Sequence, residues 1–284
     1  MIPASFEYVC ASSLPQAIRL LQDDPEGTKL VAGGHSLIPA MKLRLASPAL
    51  LVDIRDIEEL KGIEIGDRIR IGALVTHAEL LSSERLRQAL PLFHDAANTI
   101  ADPQVRNRGT IGGSLANADP AADWPAVVLA LNAELELAGP AGRRRVAAKD
   151  FFVDIMTTAL ETDEVLVAVH IQRPKPSAQF RYRKIRHPAS GYAIIGIAVA
   201  VGLEDSVVSD AVIGVTGATA RAFAPDAASA FLIGKSLSSR NMEQAASIVS
   251  EHAEYLSDRY ASADYRKHLV KTEVARALSS LKTS

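Results

Sequence analysis

The chain has 284 residues, 48% of them hydrophobic and 23% charged, with 31 basic against 33 acidic side chains and a formal net charge of −2. That length and apolar share can bury one or more cores without disulfides, and the composition excludes a mainly disordered state. The charge balance lacks the basic excess that binding to a phosphate backbone needs, so nucleic acid is not an expected partner.

The N-terminus has no basic region followed by an apolar stretch, and the longest apolar run, Ala193 to Leu203, is far too short to span a bilayer. Cys10 is the only cysteine, which rules out an internal disulfide or an iron–sulfur cluster held by this chain alone. A reducing, cytoplasmic setting without a membrane span is the expectation.

Ser13 can cap a helix over Leu14 to Gln22, whose Ala17, Ile18, Leu20 and Leu21 share a face. A turn at Asp24-Pro25-Glu26-Gly27 leads to a strand, Thr28 to Ala32. After Gly33 and Gly34 come a short helical run, Leu37 to Leu45, and a strand, Leu50 to Asp53. This is the size of a small nucleotide-binding lobe, 1–55. Strands Ile63–Ile65 and Arg68–Ile71 flank Gly66-Asp67 as a hairpin. Thr76 can cap Ala78 to Leu81, and a helix over Pro91 to Ile100 is closed by Asp102-Pro103. Gly109 to Asp123 reads as a glycine-rich polar segment, followed by an apolar run to Leu131 and paired strands at Ala133–Leu137 and Arg144–Ala147. Strand Val165 to Ile171 ends this second lobe, 56–173.

Pro174-Lys175-Pro176 breaks regular structure and marks a boundary. The final region, 177–284, reads as strands Phe180–Ile185, Ala193–Leu203 and Ser209–Thr216, then helices Pro225–Leu232, Asn241–Leu256 and Ala263–Leu281. The fold class is α+β.

Two segments carry chemistry. Ala32-Gly33-Gly34-His35-Ser36 follows a strand and precedes a helix, so adjacent glycines could take positive φ and point their amides into one anion-binding concavity. Such a turn can also be no more than a tight turn. Thr110-Ile111-Gly112-Gly113-Ser114 repeats the pattern, and two such nests could grip one diphosphate from opposite sides. Asn117, Asp119 and Asp123 could accept from sugar-like hydroxyls or an amide nitrogen; the other reading is of turn-forming Asx residues, which fits Asp119 equally well.

The stretches AGGHSLIPAMKLRLASP at 32–48 and DPQVRNRGTIGG at 102–113 resemble the flavoprotein signature of the molybdenum hydroxylases, with the aerobic carbon monoxide dehydrogenase branch nearest. The likeness runs over nearly the whole chain. It implies a vanillyl-alcohol-oxidase-type (PCMH-type) FAD-binding domain of two lobes, followed by a C-terminal domain of small antiparallel sheet and helices. It further implies that Ala32 to Ser36 with Leu37, and Thr110 to Ser114 with Asn117, wrap the FAD diphosphate and its neighbouring groups. Asp123 and the apolar Leu166 match FAD contacts, Lys184 a lysine near the flavin ring, and Tyr192 an aromatic at the ring face. Ser114 departs from the pattern, since relatives often carry Asp or Asn there. On the residues alone, Lys184 could belong to a solvated basic strand face with Arg181, Arg183 and Arg186, and Tyr192 could be core.

The resemblance implies an electron-transfer subunit with no catalytic side chain of its own, because the flavin does the chemistry. Its implied partners are a small subunit carrying two [2Fe–2S] clusters and a large molybdenum-cofactor subunit, assembled as a dimer of heterotrimers. A self-contained flavin reductase or oxidase, or a colourless assembly subunit, are the competing readings. Gly234-Lys235-Ser236 lacks the rest of a P-loop, the serines lack a nucleophile elbow, and the seven histidines show no metal-ligand spacing. His35 is expected to pack or hydrogen-bond within its turn. Arg106 and Arg108 could order the second turn or meet a partner.

Overall fold

A computed structural model describes residues 1–281. The first lobe is a parallel three-stranded sheet, β1 (Glu7–Cys10), β2 (Thr28–Val31) and β3 (Leu50–Asp53), in the order β1-β3-β2. Helix α1 (Leu14–Asp23) crosses between β1 and β2. Ser13 caps it by accepting from the Gln16 N–H, and it buries Leu14, Ala17 and Leu21 at helical spacing. The short α2 (Leu37–Lys42) links β2 to β3. It stops before the expected Leu45 because Arg44 turns left-handed, φ 59°.

The second lobe is an antiparallel sheet ordered β4-β5-β10-β6-β7, from β4 (Ile63–Ile65), β5 (Arg68–Gly72), β6 (Glu134–Gly139), β7 (Gly142–Ala147) and β10 (Val165–Gln172). Central β10 is buried from Val165 to Ile171. Leu166, Val169 and Ile171 pack into the helical side, while Val165, Val167 and Ala168 pack onto the first lobe. Cover on both faces explains its unbroken apolar run. The helices are α3 (His77–Ser82), α4 (Glu84–Ala89), α5 (Pro91–Ala97), α6 (Pro103–Arg106), α7 (Ile111–Asn117) and α8 (Trp124–Ala130). Between β7 and β10 lie α9 (Ala148–Phe151) and a small hairpin, β8 (Phe152–Asp154) and β9 (Thr157–Thr158).

Several elements differ from the sequence expectation. Asp102 does not close a helix but caps α6, accepting from the Val105 N–H with proline in the first turn. The glycine-rich stretch contains α7, capped by Thr110. Strand β1, α4, α9 and the small hairpin have no counterpart in the reading from sequence.

The C-terminal region is an antiparallel sheet of β11 (Ala178–Arg186), β12 (Ala193–Glu204) and β13 (Val207–Thr216). One face buries α10 (Asp226–Leu232), α11 (Ser239–Ser250) and α12 (Ala263–Ser279). The other meets α8 so closely that a Cβ on Gly214 would overlap the Ala126 carbonyl. Helix α11 ends at Ser250 rather than Leu256, whose N–H instead bonds the Ala218 carbonyl. The Gly234-Lys235-Ser236 segment is a turn with Gly234 at φ 78°. No helix among the described residues is long and apolar enough to cross a membrane.

One polar joint fixes the start of α7 within the second lobe. The Ile111 and Gly112 N–H groups donate to the Val75 and Ala73 carbonyls, and the His77 N–H donates to the Gly109 carbonyl, all at 2.9 Å. The His77 ring accepts at Nδ1 from Trp124 Nε1 at 3.1 Å, so Nε2 carries the ring proton. Burial, then the positive charge of His35 and Arg106, pulls the His77 pKa down to about 4. Its unfolded pKa is about 6.5, so the unfolded chain binds the extra proton between those values. The stability from neutral His77 is therefore complete above about pH 6.5 and is lost as pH falls toward 4, about 3 kcal/mol in all. Urea unfolding from pH 7 to 4 should show this slope, and His77→Gln should flatten it. Equal slopes in the two proteins would contradict the assignment.

Candidate functional site

Where the three sheets approach one another lies a cavity of about 520 Å³. Ala32, Gly33, Gly34, His35, Ser36 and Leu37 form one wall. Gly34 takes φ 76°, the conformation that lets β2 turn sharply into α2. The N–H groups of Gly33 to Leu37 find no acceptor among the described residues, so they remain available to an anion. Gly33 is needed for a different reason. A Cβ there would overlap the Arg108 carbonyl and lie 2.9 Å from Gly109 Cα, so the two glycine segments are in backbone contact.

The second segment departs from the expected nest. Gly112 and Gly113 do not take positive φ; they form the first turn of α7. Its amides are already engaged: Gly113 N–H donates to Thr110 Oγ1 at 3.0 Å and Ser114 N–H to the Thr110 carbonyl at 3.0 Å. The glycines serve close approach instead. A Cβ on Gly112 would lie 2.7 Å from Ala73 Cα, and one on Gly113 would crowd the capping Thr110 Oγ1 at 2.8 Å. Thr110, Gly112, Gly113, Ser114 and Asn117 line the cavity. Ile111 does not: its side chain is fully buried in the core of the second lobe and its N–H serves Val75. Asp119 also stays out, accepting from the Ala121 N–H at 2.8 Å as a turn residue.

His35 does not pack within its turn as expected but is exposed at the cavity wall. Arg106 holds the chain that leads into the second segment: its Nη1 donates to the carbonyls of Ile100 and Ala101 at 2.7 and 3.1 Å. Ala101 lines the cavity at φ 39°, a strained angle for alanine that this clamp holds in place.

Leu166, Asp123 and Lys184 form the deep wall. Lys184 is not on a solvated strand face. Its side chain is 2% exposed, and Nζ donates to Asp123 Oδ2 at 2.9 Å. Tyr182 donates to Asp123 Oδ1 at 2.6 Å. Burial pushes the Asp123 carboxyl up against the opposing pull of Lys184 and Tyr182; burial and the Asp123 charge push the Tyr182 phenol well up. Tyr192 stands at the mouth with Ser190 and Gly191, 42% exposed, and partial burial with the charges of Asp119 and Asp123 raises its pKa.

Sequence reasoning missed His77 and Tyr182. Tyr182 lies two residues from Lys184 on one strand, a spacing that puts both on one face; only tertiary contact identifies His77. Among the described residues no cluster of His, Cys, Asp and Glu could hold a metal. The arrangement suits an amphipathic dinucleotide: uncommitted amides at one glycine turn, apolar walls including Leu30, Ile54 and Leu74, and a buried cation at depth.

A family model described as the FAD binding domain in molybdopterin dehydrogenase matches residues 4–174, and one described as the CO dehydrogenase flavoprotein C-terminal domain matches 180–281. The chain is 38% identical over 281 residues to the carbon monoxide dehydrogenase medium chain of Hydrogenophaga pseudoflava, covering 99% of this chain and 98% of that one. It is 37% identical to the nicotine 6-hydroxylase medium subunit of Paenarthrobacter nicotinovorans, with 98% and 97% covered. A solved carbon monoxide dehydrogenase structure from Hydrogenophaga pseudoflava superposes with a TM-score of 0.96 at 40% identity, covering 98% of each chain. Two adjoining family models and relatives matched end to end leave one conclusion: the chain belongs to the FAD-binding medium subunits of the molybdenum hydroxylase family, which are oxidoreductase components.

Proposed function

We propose that this chain passes electrons, through its FAD, from the [2Fe–2S] clusters of a small partner subunit to an external acceptor. In this reading the substrate is oxidised on a large molybdenum-cofactor subunit, and the complex is a dimer of heterotrimers in the cytoplasm. The single observation that carries it is one cavity lined by both glycine segments and by Lys184. When bound, FAD supplies the ability to take up and release electrons singly or in pairs.

The chain's own residues then have separable tasks. The amides of Gly33 to Leu37 bind the diphosphate, and the first turn of α7 gives it room through Gly112 and Gly113. Asn117 offers its amide to the sugar-like chain. Leu166 and its apolar neighbours exclude water from the ring. The Lys184 ammonium offsets the negative charge that reduction adds, and Tyr192 covers the ring from the mouth. No side chain is required as a general acid or base. The division into lobes 1–55 and 56–173 and a C-terminal domain 177–284 suits this assignment, since each contributes a wall. Leu43 and Leu45, 52% and 79% exposed, leave apolar surface beside the first turn for a partner to cover.

Gly33→Val should push the first turn off the Arg108 carbonyl. Overpacking of this kind costs about 1–3 kcal/mol, roughly 5- to 150-fold in FAD affinity; flavin absorbance per purified chain reads the loss, and unchanged flavin content would refute the site. The flavin-loaded chain alone should stay yellow in carbon monoxide, nicotine or glyceraldehyde, the substrates named for relatives. Adding an iron–sulfur and a molybdenum partner subunit should let one such reductant bleach it. Bleaching by the isolated chain would make it a self-contained enzyme, and a colourless protein would make it a scaffold.

A further inference from the structure

Behind the deep wall lies a second layer. Tyr182 and Lys184 leave the same face of β11 and converge on one carboxylate: Lys184 Nζ on Asp123 Oδ2 at 2.9 Å, Tyr182 Oη on Asp123 Oδ1 at 2.6 Å. Lys184 and Asp123 line the cavity, whereas Tyr182 does not and is packed in the core at 6% exposure. A Cβ on Gly196 would overlap the Tyr182 hydroxyl, so the glycine on β12 makes the space in which that hydroxyl sits.

We infer that Tyr182 is a positioning residue of the flavin site, whose hydroxyl, by holding Asp123, keeps Lys184 in the cavity wall as a charged ammonium. The inference rests on the reading that Lys184 contacts FAD in this cavity. A lysine and an aspartate withdrawn from water can become neutral by moving one proton from Nζ to the carboxylate, which leaves an amine and a carboxylic acid. Burial favours that transfer, because it removes the water that solvated both charges. Hydrogen-bond donors to the carboxylate oppose it. Asp123 has two: the ammonium itself, which transfer would spend, and the Tyr182 hydroxyl, which remains. On the lysine side the Thr99 carbonyl is 3.4 Å from Nζ and accepts from ammonium or amine alike. The positive charge of Arg186 favours the carboxylate as well, but it makes no hydrogen bond to Asp123; the tyrosine is therefore the hydrogen-bonding group that tilts the pair toward its ionised form, one layer away from the flavin it serves.

The test is a redox titration of the flavin in the assembled complex with dyes of known potential. Tyr182→Phe keeps the ring and removes only the hydroxyl. It should lower the ratio of reduced to oxidised flavin about tenfold at fixed potential, a fall of about 30 mV for a two-electron couple. The same substitution is then made where Asp123→Asn and Lys184→Met have removed both charges together, so that neither is stranded. There it should do nothing, because Tyr182 acts through the pair. An unchanged potential in Tyr182→Phe, with a shift in the pair-free protein, would overturn the inference and leave the site reading intact. An equal Tyr182→Phe shift in both backgrounds would overturn it too, since the hydroxyl would then act without Lys184. No shift on removing the pair would overturn the placement of FAD beside Lys184 and the inference with it.

Discussion

The site depends on a contact between two backbones. Gly33 lies against the Arg108–Gly109 peptide with no room for a side-chain carbon, and this brings the free amides of the first turn to the same cavity as the first turn of α7. Everything on the second-lobe side serves to hold that peptide. The ladder from Ala73, Val75 and His77 to residues 109–112 fixes its height, Arg106 clamps the chain before it, and Trp124 anchors His77 from behind. A dinucleotide can then be gripped without any basic side chain at the glycine turn, because uncommitted amides at a helix start already carry the required partial charge.

The buried ion pair at the far end is harder to justify as a stabilising device. Removing two charges from water costs several kcal/mol each, and apolar replacements of such pairs are often neutral or better for stability. Asp123 and Lys184 are both almost fully buried, and they face a cavity rather than packed core. In the proposed flavin site their presence makes sense as a fixed electrostatic field, arranged before any ligand arrives and therefore costing no reorganisation on binding.

Much of this was legible in the sequence, and the exceptions have physical reasons. Two motifs located the cavity, and the alternating or unbroken apolar runs located most strands, including β10. The helix α7 was hidden because two glycines, each about 1 kcal/mol unfavourable in a helix, argue for a loop. Tertiary contact reverses that: Thr110 supplies the cap and Ala73 accepts only a residue without Cβ. Strand β1 was hidden because it is short and its side chains are mostly exposed, so it shows no apolar alternation. The positive-φ expectation held at Gly34 and failed at Gly33, Gly112 and Gly113; sequence shows that a glycine is needed, but not whether the backbone angle or the missing side chain is the need. Tyr182 was passed over because its partner, Asp123, is distant in sequence.

The placement of the cavity also sorts rigid from mobile parts. Its deep wall is made of α8, β10 and β11, whose side chains are locked in the shared core and in the Asp123 cluster. Its mouth is a loop, 187–192, held by the His187 ring, which accepts from the Ala189 and Ser190 N–H groups and meets the Tyr260 ring edge-on at 4.1 Å. Local bonds of this kind at an exposed surface open at a small fraction of the global unfolding free energy. The mouth loop and the Lys184–Asp123 pair are thus held by different bonds, the loop by its own backbone and His187 and the pair by the buried Tyr182 hydroxyl, while the Asp123 charge still reaches Tyr192.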